Sequence, residues 1–190
     1  MRWASFVAGI AATIAVILIV SLVVVLAGGY NIAATDRHSP LVAWALHTNF
    51  ENSVKSHAGD IAPPQFSAAM IDAGAPEYKA MCARCHGGVG ESREDWAEGM
   101  LPKPPALARA ADEWSHAEIF WLVKHGAKMT AMPAFGDSHD DQTIWNIAAF
   151  VKALPTMSAA QYAAYSTEHG EEKERGEAHA HAEAPSPQAD

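Results

Sequence analysis

The sequence predicts an all-α protein, a membrane-type helix followed by a small helical domain wrapped around a covalently held cofactor. Three observations lead there. No charged side chain stands between Arg2 and Asp36, and Trp3 to Leu26 is almost wholly apolar. Past that run, apolar residues recur at helical spacing and no stretch alternates convincingly as a strand would. Finally, Cys82-Ala83-Arg84-Cys85-His86 spells C-x-x-C-H, which puts two thiols and an imidazole where one turn of chain can hold a haem.

The first element, residues 1–29, reads as a transmembrane anchor. A spanning helix needs about 20 apolar residues, whereas a removable secretory signal needs roughly 7 to 15. Leu26-Ala27-Gly28 resembles a small-residue cleavage site, so a long signal peptide is the competing reading. Arg2 is a single positive charge on the side expected to stay cytoplasmic, which sends the remainder outward.

Residues 30–66 form an amphipathic helix and linker. Val42, Leu46, Phe50 and Val54 recur every four residues, with His47, Glu51 and Lys55 on other faces. Trp44, close to the anchor in sequence, suits a position among headgroups; packing of the helix on the following domain or on a partner subunit is the alternative. Pro63-Pro64 then stiffens the entry to the domain.

The domain itself is expected over residues 67–157. Ser67 is placed to cap a helix running towards Cys82, with Gly74 and Pro76 able to split it in two. A second helix covers Ser115 to His125 and stops at Gly126. A third runs from about Asp140 to Leu154, where Ile144, Ile147, Ala148 and Val151 make one apolar stripe and Pro155 ends it. The Gly-, Pro- and charge-rich stretch Gly87 to Arg109 should be mostly loop. Residues 158–190 read as an acidic, His-containing disordered tail, in which His169, His179 and His181 are better explained by solvation than by metal binding. The chain carries 22 acidic against 13 Lys and Arg residues, for a formal net charge of −9. Nucleic acid would call for a basic footprint instead. Lys79, Lys103, Lys124 and Lys128 either ring an exposed cofactor edge or are ordinary solvated lysines.

On a helical turn Cys82 and Cys85 share a face, so each thiol can add to a vinyl group and leave His86 beneath the porphyrin plane. A thioredoxin-type redox pair would expect a βαβ surround, and a zinc site would expect a second Cys or His pair; neither is evident, and these are the chain's 2 cysteines. The iron then needs a sixth ligand or an open site. Met132 is the leading candidate, because Pro133 biases it to an extended backbone and stiffens the loop that would present its thioether. Met129, His125 and His139 compete.

With these motifs in order, residues Ser67 to Met157 resemble a bacterial class I c-type cytochrome with a single haem. The resemblance implies a small fold of helices around one covalent haem c, with Cys82, Cys85, His86 and Met132 as cofactor-binding residues and iron held by His86 and Met132. It also implies that Gly74 and Tyr78 on the entering helix cross Ile147 and Phe150 on the last one. Pro105, in Pro105-Ala106-Leu107, would accept the proton of His86. Haem attachment in that family occurs on the exported side, so the domain is expected in the periplasm on a single-pass inner-membrane anchor.

With both axial positions filled, the expected function is one-electron transfer rather than catalysis. The donor would be a quinol-oxidising complex or dehydrogenase and the acceptor a terminal oxidase. A fixed haem c subunit of a multi-subunit dehydrogenase or oxidase is the alternative. A haem-based sensor or peroxidase would need a labile sixth ligand, and the chain has neither an obvious output domain nor a second redox centre.

Overall fold

The computed structural model describes residues 3–165; the acidic, His-containing stretch from Ser166 onward lies outside the described residues. Regular structure among the described residues is helical throughout. Two compact units divide the chain, at 1–37 and 38–190.

In the first unit, α1 (Trp3–Leu26) is a 24-residue helix without a buried side chain. At 1.5 Å per residue it is about 36 Å long, enough to cross a hydrocarbon core with some tilt. It is the one described helix long and apolar enough for that, and a signal sequence near an N-terminus would pass the same test.

The second unit opens with α2 (Pro40–Ala58), whose Pro40 sits in the first turn where its missing N–H costs nothing. The predicted amphipathic face is real but divided. In the C-terminal half Val54 and Ala58 are buried, Phe50 meets Trp114 edge-on at 5.8 Å, and the His57 and Trp121 rings lie 5.3 Å apart. That half packs on the helical domain. Leu41, Trp44 and Leu46 in the N-terminal half remain exposed. The segment is therefore a lateral helix of the domain rather than a separate linker.

Ser67 caps α3 (Ala68–Glu77) by accepting the Met70 N–H at 3.3 Å. The split that Gly74 and Pro76 would allow does not occur. Tyr78 and Ala83 both keep right-handed helical backbone, so α3 continues through a π-helical turn, Tyr78–Cys82, into α4 (Ala83–His86). Pro76 lacks a donor and crowds the carbonyl one turn back. The ladder widens directly after it, and the run continues.

Two 3-10 turns, Asp95–Gly99 and Ala111–Glu113, and a short helix, α5 (Leu107–Ala110), punctuate the stretch before α6 (His116–His125). Ser115 and Glu118 form a reciprocal capping box at its start. Asp140 caps α7 (Asp141–Ala153) by accepting the Thr143 N–H at 2.7 Å. The predicted stripe of Ile144, Ile147, Ala148 and Val151 is buried. Lys152, at its C-terminal end, donates to the carbonyls of Ala111, Asp112 and Trp114, tying α7 to the turn before α6.

The core lies where α3 crosses α7. A Cβ on Gly74 would fall 2.0 Å from the Asn146 carbonyl oxygen, so the two backbones touch at that point. Tyr78 packs on Phe150 beside it, with ring centroids 5.3 Å apart.

The domain also extends beyond Met157, past the expected start of the tail. Ser158 and Gln161 form a second capping box that opens α8 (Ala159–Ala164). Tyr162 is fully buried, packing against Tyr78 and Phe150 and so closely against Gly88 that a Cβ there would meet its ring at 2.4 Å. Lys79 lies over the Tyr162 ring, 4.7 Å from its centroid, and donates to the Tyr165 carbonyl at 2.5 Å. Tyr162→Ala is expected to cost about 3–5 kcal/mol, the usual figure for emptying a buried aromatic site. The Tyr162 hydroxyl is buried without a hydrogen-bond partner. Tyr162→Phe should therefore be neutral or slightly stabilising, since it removes an unsatisfied polar group. Urea unfolding of both variants checks this; a Phe variant as unstable as the Ala variant would show that the hydroxyl has a partner.

Candidate functional site

The continuous run from α3 through the π-helical turn to α4 brings Cys82, Cys85 and His86 to the end of the longest buried helix of the domain. Each of the three is half-buried. Gly87 stops the run with φ +73, and a Cβ there would lie 2.9 Å from the Glu91 carbonyl, so glycine is required on both counts. The Tyr78 hydroxyl donates to the Gly87 carbonyl at 2.7 Å. This bond fixes the backbone immediately after His86.

The imidazole is held from the other side. His86 Nδ1 lies 2.7 Å from the Pro105 carbonyl oxygen. A carbonyl can only accept, so Nδ1 carries the proton and Nε2 presents its lone pair. Burial holds the His86 pKa below its ordinary value; the Pro105 bond opposes that shift and the nearby Arg93 charge adds to it. The ring is thus neutral near pH 7, as a metal ligand requires. Arg93 went unremarked in the sequence. It donates to the Pro104 carbonyl and pairs with Glu98 at 3.1 Å, clamping the chain one residue before Pro105.

Burial, with Cys85 and then Glu77 adding to it, pushes the Cys82 thiol up to about 12. A catalytic redox cysteine shows the opposite shift. Among the described residues no group of three or more His, Cys, Asp or Glu side chains is placed to share a metal ion.

Met132 rides on the segment between α6 and α7. Gly126 ends α6 with φ +66, and a Cβ there would lie 2.6 Å from the Pro133 carbonyl carbon, so the Met-Pro backbone lies directly on the helix end. The Ala127 N–H donates to the Met132 carbonyl at 3.2 Å. Thr130 accepts the Met132 N–H at 3.1 Å and donates to the Ala127 carbonyl at 2.7 Å, closing a small hydrogen-bonded turn. Met132 is half-buried and packs against the core, as Cys82 and Leu107 do. The competing Met129 is 91% exposed in left-handed backbone at φ 61. His125 lies exposed beside Trp121. His139 is buried at the start of α7, facing Glu77.

Three of the four lysines have partners, and Lys128 is exposed. Lys103 pairs with Glu98, Lys124 with Asp141 at 2.6 Å, and Lys79 is bound to the Tyr165 carbonyl.

Two neighbouring thiols, a neutral imidazole with its tautomer fixed and a thioether packed against the same core are a donor set that fits a haem. Set at the end of crossing helices, they suit a small cytochrome c fold. Residues 69–151 match the family model described as cytochrome C oxidase, cbb3-type, subunit III. The matched stretch begins within α3 and ends within α7, leaving α1, α2 and α8 outside it. No curated protein compared with the chain matches it.

Proposed function

We propose that the chain is a membrane-tethered one-electron carrier with one covalent haem c, Cys82 and Cys85 providing the thioether links and His86 and Met132 the axial ligands. The observation that carries this reading is the 2.7 Å bond from His86 Nδ1 to the Pro105 carbonyl, which fixes Nε2 as the free donor of a C-x-x-C-H motif. When bound, the haem supplies a reversible ferric/ferrous couple. His86 and Met132 would both hold the iron, leaving no position for a substrate, so the chemistry supplied here would be electron exchange alone. The anchor holds the domain on the periplasmic face of the inner membrane, where confinement raises the effective concentration of its partners. These are a quinol-oxidising complex or dehydrogenase as donor and a terminal oxidase as acceptor.

A fixed haem subunit of an oxidase is the second reading, favoured by the family description of the matched stretch. Purification of the full chain in mild detergent separates the two: a free monomer supports the carrier, a stoichiometric oxidase complex the subunit. On the same sample, intact mass and low-temperature magnetic spectra should report one haem added and low-spin ferric iron. An unmodified mass, or high-spin iron, would reject the covalent His/Met assignment.

A further inference from the structure

The chain leaves Met132 through a 3-10 turn, Phe135–Asp137, and enters α7 at Asp140. His139 sits at that joint. Its side chain is 5% exposed, and Nε2 faces Glu77 Oε2 at 3.6 Å, the Glu77 side chain being 21% exposed. Nε2 has no hydrogen-bond partner. On the other side of the ring, Nδ1 lies 2.8 Å from Ser138 Oγ, and the ring meets Phe135 edge-on at 5.7 Å. The His139 N–H also donates to the Phe135 carbonyl at 2.9 Å.

Glu77 is the last residue of α3, next to Tyr78 and one turn ahead of Cys82. The pair therefore joins the exit of the Met132 loop to the helix that carries the cysteines. Nε2 must bear its proton to satisfy a carboxylate, and this tautomer leaves Nδ1 free to accept from the Ser138 hydroxyl, for whose one proton the Phe135 carbonyl competes at 3.3 Å. A buried donor left 3.6 Å from its acceptor is costly, and slight closure of the loop turns the approach into a charge-assisted hydrogen bond.

We infer that Glu77 and His139 are positioning residues that latch the Met132 loop onto the haem-motif helix and so set how often the thioether leaves the iron. The inference rests on the proposed ligation by Met132. Without the latch the loop is still held at its start by Gly126 and Thr130, so the resting state survives; what changes is the frequency of opening.

The test uses the full, haem-loaded chain and measures the rate at which imidazole replaces the native sixth ligand of the ferric protein, a reaction that must wait for the thioether to depart. Glu77→Gln and His139→Phe should each raise that rate about tenfold. Their double variant should rise no further than the faster single, as expected for two halves of one interaction. Resting spectra should stay low-spin in all three. Glu77→Gln keeps the shape of a half-exposed side chain, so it decides the matter if His139→Phe does not load haem. Lower thermal stability with unchanged entry rates would overturn the latch while leaving Met132 as ligand. A wild-type iron that takes up imidazole at once from a high-spin state would overturn the Met132 assignment and the latch together.

Discussion

Met132→Ala is expected to open the sixth coordination position. Carbon monoxide should then bind the reduced protein rapidly, where the wild type resists it. The thioether favours ferrous iron, so its loss should lower the reduction potential by on the order of 100 mV, a fraction of the roughly 0.8 V range that axial ligands control. Because Met132 packs against the core, the substitution should also cost about 2 kcal/mol, near the low end for a methionine removed from a half-exposed position. Met129→Ala is the matched control. With its side chain 91% exposed, it should alter neither ligand binding nor potential. Carbon monoxide titration and potentiometry of the two variants decide between the candidates. If Met129→Ala changes the spectrum and Met132→Ala does not, the ligand has been misassigned.

What could be read from the sequence, and what could not, follows the range of the interaction. Ser67, Ser115 and Asp140 each accept an N–H three residues on, so these helix starts are encoded by near neighbours and were legible, Ser67 as a cap and the other two only as the first residues. The stripe of α7 was legible for the same reason, since helical period alone puts Ile144, Ile147 and Val151 on one face. The clamp by Arg93 on the Pro104 carbonyl spans a loop without periodicity, and no local pattern announces it. The same holds for the long reach of Lys152 to three carbonyls before α6. The end of the domain is a different case. Ser158-Ala159-Ala160-Gln161 is a capping-box signature, but the short Ala-rich segment behind it offers little hydrophobic period, and what secures α8 is Tyr162 fitted against Gly88 far back in the chain. The half of α2 that packs on the domain was likewise undecidable from its own stripe. An amphipathic face specifies that something covers it, and the covering aromatic residues, Trp114 and Trp121, come from elsewhere.

Gly74→Ala should be among the most destabilising single-methyl additions in the domain. Two effects oppose each other here. Helix propensity alone favours the change by about 0.5–1 kcal/mol, because alanine loses less backbone freedom than glycine inside a helix. Against it stands the placement of the new methyl, 2.0 Å from the Asn146 carbonyl oxygen and 2.4 Å from its carbon. Those are backbone atoms in the middle of α7 and cannot rotate aside as a side-chain tip would. The helices must separate, which loosens Tyr78 against Phe150 and the buried Ile147 with them. Overpacking costs 1–3 kcal/mol when side chains can adjust, and this contact belongs at or above the top of that range. The net loss should therefore exceed about 2 kcal/mol, a fall of roughly 10 °C or more in Tm for a domain of this size. Gly74→Val should prevent folding. Gly99→Ala provides the reference, since a Cβ there meets nothing within 4 Å and the Tm should scarcely move. Thermal melts followed at 222 nm test the set. A Gly74→Ala protein that melts at or above the wild-type temperature would mean that propensity wins and that α3 and α7 do not meet backbone to backbone.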